Sequence, residues 1–132
     1  MKVASITLFC NEHFRLKSWV RYFSEYKGEI YLPVIVNNGS LNDNDLLKSL
    51  FPEAVILYSN TSNMTASYNI AIKYILDNSD ADSILQITND IRLENGGIGK
   101  LYDLLSKDDR FGMISPILLK KDSEIIETMA PK

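Results

Sequence analysis

Four polar clusters recur along this chain, and their residue types suit recognition of a small, oxygen-rich ligand. They are Cys10-Asn11-Glu12, Asn37-Asn38-Gly39-Ser40, Ser59-Asn60-Thr61-Ser62-Asn63 and Thr88-Asn89-Asp90. Six of the 11 asparagines lie in them. A primary amide both donates and accepts hydrogen bonds, which suits a nucleobase edge and sugar hydroxyls. Each asparagine also has an ordinary alternative, capping a turn through nearby backbone. Asp90 is the one acid of its cluster. A carboxylate there suits Mg²⁺ or Mn²⁺, which take one or two carboxylates and complete their shell with ligand phosphates. The alternative for Asp90 is a helix N-cap or a solvated turn. Cys10 has no histidine among the clusters to activate it, so it is not assigned as a nucleophile.

Each cluster follows a short apolar run rich in β-branched residues. The runs are Val3 to Phe9, Ile30 to Val36, Ala54 to Tyr58 and Ser83 to Ile87. Between them the apolar spacing is helical. Leu16, Trp19, Val20 and Phe23 follow i, i+3, i+4, i+7 within a helix from His13 to Tyr26, with Asn11 as N-cap and Gly28 at its end. His13, in its first turn, is a surface residue on this reading and Trp19 a core one. A short helix spans Asp43 to Leu50, a longer one Thr65 to Leu76, and another Gly97 to Ser106. Pro33 predicts a bulge or an unpaired position in the second strand. A fifth strand is expected over Gly112 to Leu118, which contains Pro116. A terminal hairpin pairs Ile117 to Leu119 with Ile125 to Thr128 around Lys121-Asp122-Ser123.

Strand and helix alternate four times, which predicts one α/β domain over residues 1–132, a mostly parallel sheet with right-handed crossovers. All four polar clusters then share one edge of that sheet, where open α/β sheets bind ligands. Capping of the helix after the third cluster by Asn63 or Thr65 is the simpler reading of that end.

Composition narrows the choices. With a net charge of −3 and 14 basic residues scattered along the chain, a nucleic-acid surface is not expected. One cysteine allows no internal disulfide, and with no signal-type leader or membrane span in the sequence, a cytoplasmic location is expected. There is no Gly-x-Gly-x-x-Gly after the first strand and no phosphate loop ending in Gly-Lys-Ser/Thr.

In order, these segments resemble the family 2 glycosyltransferases, inverting nucleotide-sugar enzymes of the GT-A fold. Ile6 to Asn11 is similar to the family's opening strand, and Val34 to Ser40 to its Val-Val-Asp-Asn-x-Ser segment. Asn63 to Asn69 resembles the Asn-rich loop that opens the next helix. Ile84 to Asp90 falls where the family carries its Asp-x-Asp or Asn-x-Asp metal motif, and Phe111 to Pro116 is similar to the following Val-Gly-x-x-x-Pro strand.

The resemblance implies a GT-A-like, Rossmann-related three-layer fold with helices on both faces. It also implies a nucleotide-sugar donor, a divalent cation, and transfer of a hexose to a saccharide or other hydroxyl acceptor. On that pattern Phe9, Asn11, Asn37 and Asn38 hold the base and ribose, and Asp90 holds the metal between the donor phosphates. The full candidate set along the edge adds Glu12, Ser40, Asn63, Asn69, Thr88 and Asn89. Three departures stand out: Asn37 replaces the usual base-contacting Asp, Thr88 replaces the first metal-motif acid, and the loop from Asn63 to Asn69 lacks its Gly. No residue corresponds to the family's general base, which takes the acceptor proton. The rival expectation is therefore a non-catalytic or truncated relative acting as a nucleotide-sugar-binding or interaction module. A sheet that stops at Ile125 to Thr128 leaves an unpaired edge, a route to a homo-oligomer.

Overall fold

In the computed structural model, residues 1–119 and 125–127 are described. Val3–Phe9 forms strand β1, and every residue of it but Leu8 is buried, as suits a central strand covered on both faces. β2 (Leu32–Asn37) and β3 (Val55–Tyr58) lie on one side of β1, and β4 (Ser83–Gln86) lies on the other. The order is β3-β2-β1-β4, all parallel. Helices α1 (Leu16–Tyr26), α2 (Asp43–Leu50) and α3 (Met64–Asn78) make the connections, and α4 (Gly97–Ser106) follows β4.

The period-2 alternation of β1 sorts the core into two layers. Val3 and Phe9 join Trp19, Phe23 and Tyr26 of α1, Leu47 of α2, Phe51 and Ile98 of α4. Ala4 and Ile6 point the other way, onto Ala71 and Ile75 of α3. Helices therefore cover both faces, as the sequence predicts. The first layer is aromatic: the Trp19 ring centroid is 4.3 Å from that of Phe51 and 6.0 Å from that of Phe9.

Pro33 falls within β2 without breaking the register, which runs from Ala4↔Leu32 to Phe9↔Asn37. Asn38 donates its N–H to Phe9, so even-numbered residues of β2 turn toward β1 and Pro33 turns toward β3. Pairing with β3 begins only at Val34↔Val55, so the missing proline N–H is not needed. The unpaired position is realised and the bulge is not.

Three expectations are corrected. Residues His13–Arg15 form a 3₁₀ turn, and α1 starts only at Leu16. Asn11 does not cap it: the residue sits at φ 60°, in the left-handed region, and its side chain faces the β2 loop. The fifth strand is not formed over 112–117, since pairing begins at Leu118. Pro116 has no N–H to give a ladder and Gly112 favours no extended state, so β4 stays the edge of the main sheet. Leu118–Leu119 pairs instead with Ile125–Glu127 in a separate antiparallel ribbon. The expected turn Lys121-Asp122-Ser123 and Thr128 lie outside the described residues. Among the described residues, no helix is long and apolar enough to cross a membrane.

Candidate functional site

The strand order reverses at β1. The chain leaves it toward β2 and β3, then crosses back to place β4 on its other side, so a crevice opens between the C-terminal ends of β1 and β4. Unequal strand lengths widen it. β4 pairs with β1 only as far as Ile6↔Gln86, and one more bond runs from the Ile87 N–H to the Ile6 carbonyl at 3.1 Å. The Leu8 carbonyl faces the same side two residues on, beyond the end of β4. The Asn89 side chain takes the place of the absent strand, donating Nδ2–H to the Leu8 carbonyl at 3.3 Å.

The resulting cavity of about 290 Å³ is lined by Leu8, Cys10, Glu12, Arg15, Asn38, Met64, Tyr68, Thr88, Asn89 and Asp90. Its polar wall is one connected network. Glu12 Oε1 accepts from the Cys10 N–H at 2.7 Å, and Glu12 Oε2 accepts from Asn89 Nδ2 at 3.0 Å and from Arg15 Nη1 at 3.1 Å. Arg15 Nη1 also donates to Asn89 Oδ1 at 3.2 Å and lies 3.7 Å from Asp90 Oδ2. Thr88 Oγ1 donates to Asp90 Oδ1 at 2.7 Å. Asn89 is buried, while Thr88 and Asp90 face solvent.

Of the candidate residues, Glu12, Asn38, Thr88, Asn89 and Asp90 are brought together around the crevice. Phe9 and Asn37 are fully buried behind it. Phe9 stacks in the core against Trp19. Asn37 spends its amide on the loop that follows: Nδ2 donates to the Ser40 carbonyl at 2.7 Å and to Asn44 Oδ1 at 2.8 Å, and Oδ1 accepts from the Gly39 N–H at 3.0 Å. Asn11 and Ser40 form a clasp between the two strand-end loops, the Ser40 N–H donating to Asn11 Oδ1 at 3.2 Å. Gly39 is required there, since a Cβ would stand 2.5 Å from Asn11 Oδ1 and 3.0 Å from the Asn11 nitrogen. Asn63 caps α3, accepting from the Ala66 N–H at 3.2 Å, and Asn69 is exposed on that helix outside the crevice lining.

Sequence reasoning placed none of Arg15, Met64 and Tyr68 at the site, yet all three line the crevice. Tyr68 lies half-buried in the lining, and burial pushes its hydroxyl above the ordinary tyrosine range. The i, i+3 spacing of Glu12 and Arg15 was the available signal for the pair, but a carboxylate and guanidinium at that spacing are common on any helix surface. His13 is also not free. Its Nε2 lies 2.9 Å from Asp43 Oδ1, and that hydrogen bond holds the imidazole pKa above its usual value.

Around Nη1 of Arg15 stand three oxygens, one each from Glu12, Asn89 and Asp90. Oxygen donors that include two carboxylates are the set a hard divalent cation takes, so the donor chemistry fits, with a guanidinium nitrogen standing at the centre. Among the described residues, no group of three or more His, Cys, Asp and Glu side chains gathers as a metal cage; the third donor of this ring is an amide. Two carboxylates against one guanidinium leave the lining with one net negative charge, so the crevice favours a cation over a bare anion. No protein-family model matches this chain, and no curated protein matches it.

Proposed function

We propose that this crevice binds a nucleotide-sugar donor together with Mg²⁺ or Mn²⁺, in the service of hexose transfer to a hydroxyl acceptor. The observation that carries the reading is the charge and chemistry of the lining. An oxygen-rich wall with one net negative charge sits at the β1/β4 switch point, and a diphosphate enters such a place in company with a divalent cation. Asp90 would supply a carboxylate to that cation from the chain, and the chemistry the cation would supply when bound is neutralisation of the diphosphate's charge. Asn38 offers an amide in the wall, and Tyr68 an aromatic face half-buried at its side. The order of segments from Ile6 to Pro116, similar to family 2 glycosyltransferases, supports the same donor class.

A second reading, donor binding without transfer, is favoured by one observation. The carboxylates of the lining are Glu12 and Asp90, and both are turned to Arg15. Neither stands free to take the acceptor proton, a role whose loss costs ~10²–10⁴-fold in rate.

Calorimetric titration with UDP, GDP and dTDP, with and without Mn²⁺, tests both readings at their shared step. Binding that appears only with Mn²⁺ is expected. Asp90→Ala should weaken it about tenfold or more, ~1.4 kcal/mol, with little change in melting temperature, because Asp90 is half-exposed. Indifference to all three nucleotides at millimolar concentration overturns the proposal. Incubation with radiolabelled UDP-sugars and a panel of glycans then separates transfer from binding alone.

A further inference from the structure

The bond from the Ile87 N–H to the Ile6 carbonyl fixes which way the backbone of β4 faces. Odd-numbered residues there turn their N–H and C=O groups to β1, so those of Ile84 and Gln86 turn to the open edge. Among the described residues, none of these four groups has a partner. Edge strands are ordinarily blunted by a charge, a proline or a bulge. Ser83-Ile84-Leu85-Gln86 carries none of these, and its register with β1 is unbroken. The edge opens onto a second cavity of about 420 Å³, distinct from the crevice. Ile72 of α3 and Ile98, Leu101 and Leu105 of α4 stand in its wall, and no charged side chain lines it. Ile84 and Met113, both in that lining, are 39 % and 86 % exposed. Residues 112–116 line the same cavity without pairing with β4.

We infer that β4 pairs with β4 of a second copy of this chain, antiparallel about a two-fold axis at Leu85, joining two four-stranded sheets into one of eight. An apolar small molecule in the cavity would leave the four backbone groups unpaired, at a cost. The two-fold arrangement uses all of them. Ile84 stands opposite Gln86 of the second copy and exchanges both N–H···O=C bonds with it, and Gln86 does the same with Ile84 of the second copy. Leu85 against Leu85 is the non-hydrogen-bonded position between them, where side chains approach most closely. None of these facing residues is charged, so the register sets no like charges against each other. The contact is isologous: it closes at two copies and hides both edges. Residues 112–116 are tied to β4 by no backbone hydrogen bond and can move aside for the incoming strand. The pairing does not depend on what the crevice binds.

Sedimentation velocity on the unaltered chain, from micromolar to millimolar concentration, should show a species of twice the 15.0 kDa chain mass. Amide hydrogen exchange followed by nuclear magnetic resonance locates the contact. The Ile84 and Gln86 amides should gain about tenfold or more in protection as the dimer forms. Those of Leu85 and Ile87, turned to β1, should be protected at every concentration. Gln86→Pro removes an outward N–H and no bond to β1. It should fold by circular dichroism and dimerise about tenfold more weakly, ~1.4 kcal/mol. Should it fail to fold, Ile84→Lys sets a charge on the edge and should weaken the dimer equally. A chain that stays monomeric at millimolar concentration overturns the inference. So does a dimer whose Ile84 and Gln86 amides exchange as fast as in the monomer, because it is built on another surface. Protection of those two amides in the monomer overturns it as well, since the chain then covers its own edge. A folded Gln86→Pro that dimerises as the unaltered chain does has the same force.

Discussion

Replacing Asn89 by alanine removes the side chain that stands in for a strand. Asn89 is 3 % exposed and joins three groups: the Leu8 carbonyl at 3.3 Å, Glu12 Oε2 at 3.0 Å and Arg15 Nη1 at 3.2 Å. Glu12 and Arg15 keep each other at 3.1 Å, so their share of the loss is modest, ~0.5–1 kcal/mol in all. The Leu8 carbonyl has no replacement from β4, which ends at Gln86, and an acceptor left unpaired costs ~1–3 kcal/mol. The sum is ~1.5–4 kcal/mol, a large part of the ~5–15 kcal/mol that holds a domain folded. Urea denaturation followed by circular dichroism measures it. With a slope of ~1.5–2 kcal/mol per molar, the midpoint should fall by roughly 0.8–2.7 M. Asn89→Asp should also destabilise, because it sets a carboxylate where Glu12 now receives an N–H. A midpoint shift below about 0.3 M for Asn89→Ala would show that water satisfies the Leu8 carbonyl and that Asn89 does not bridge the two strands.

Two further outcomes concern the loops beside the crevice. The His13 pKa is raised by its hydrogen bond to Asp43, so the stability from that bond is complete below the unfolded value near 6.5 and disappears as pH climbs through the folded value. Denaturation midpoints should therefore fall as pH rises above about 6.5, and Asp43→Asn should flatten that fall; an unchanged slope in the variant refutes the pairing. Gly39→Ala drives a Cβ to 2.5 Å from Asn11 Oδ1 and should cost ~1–3 kcal/mol as overpacking, read as a lowered melting temperature. An unchanged melting temperature would show that the Asn11–Ser40 clasp opens freely.

Much of the architecture was legible in the sequence because it rests on local pattern. The seven-residue run Val3–Phe9 and the helices Asp43–Leu50 and Gly97–Ser106 appear with the predicted bounds, since periodicity and turn residues act within one element. Strand–helix alternation was likewise enough for a parallel α/β sheet with helices on both faces. The strand-end clusters do fall toward one edge, but which of their members face the crevice depends on strand ends that no local pattern states. Asn37 and Asn89 look alike in sequence, an asparagine closing an apolar run. One turns into its own loop and satisfies that loop's backbone, while the other bridges to Leu8 because β4 stops three residues short of the end of β1. The absent fifth strand is the same lesson in reverse: an apolar run suffices to suggest a strand, but pairing needs donors, and Pro116 withholds one. Arg15 was invisible as a site residue for a related reason. Its carboxylate partner at Glu12 is local, whereas Asn89 and Asp90 reach it from more than 70 positions away. Only the crossover that places β4 beside β1 brings those oxygens around a single nitrogen.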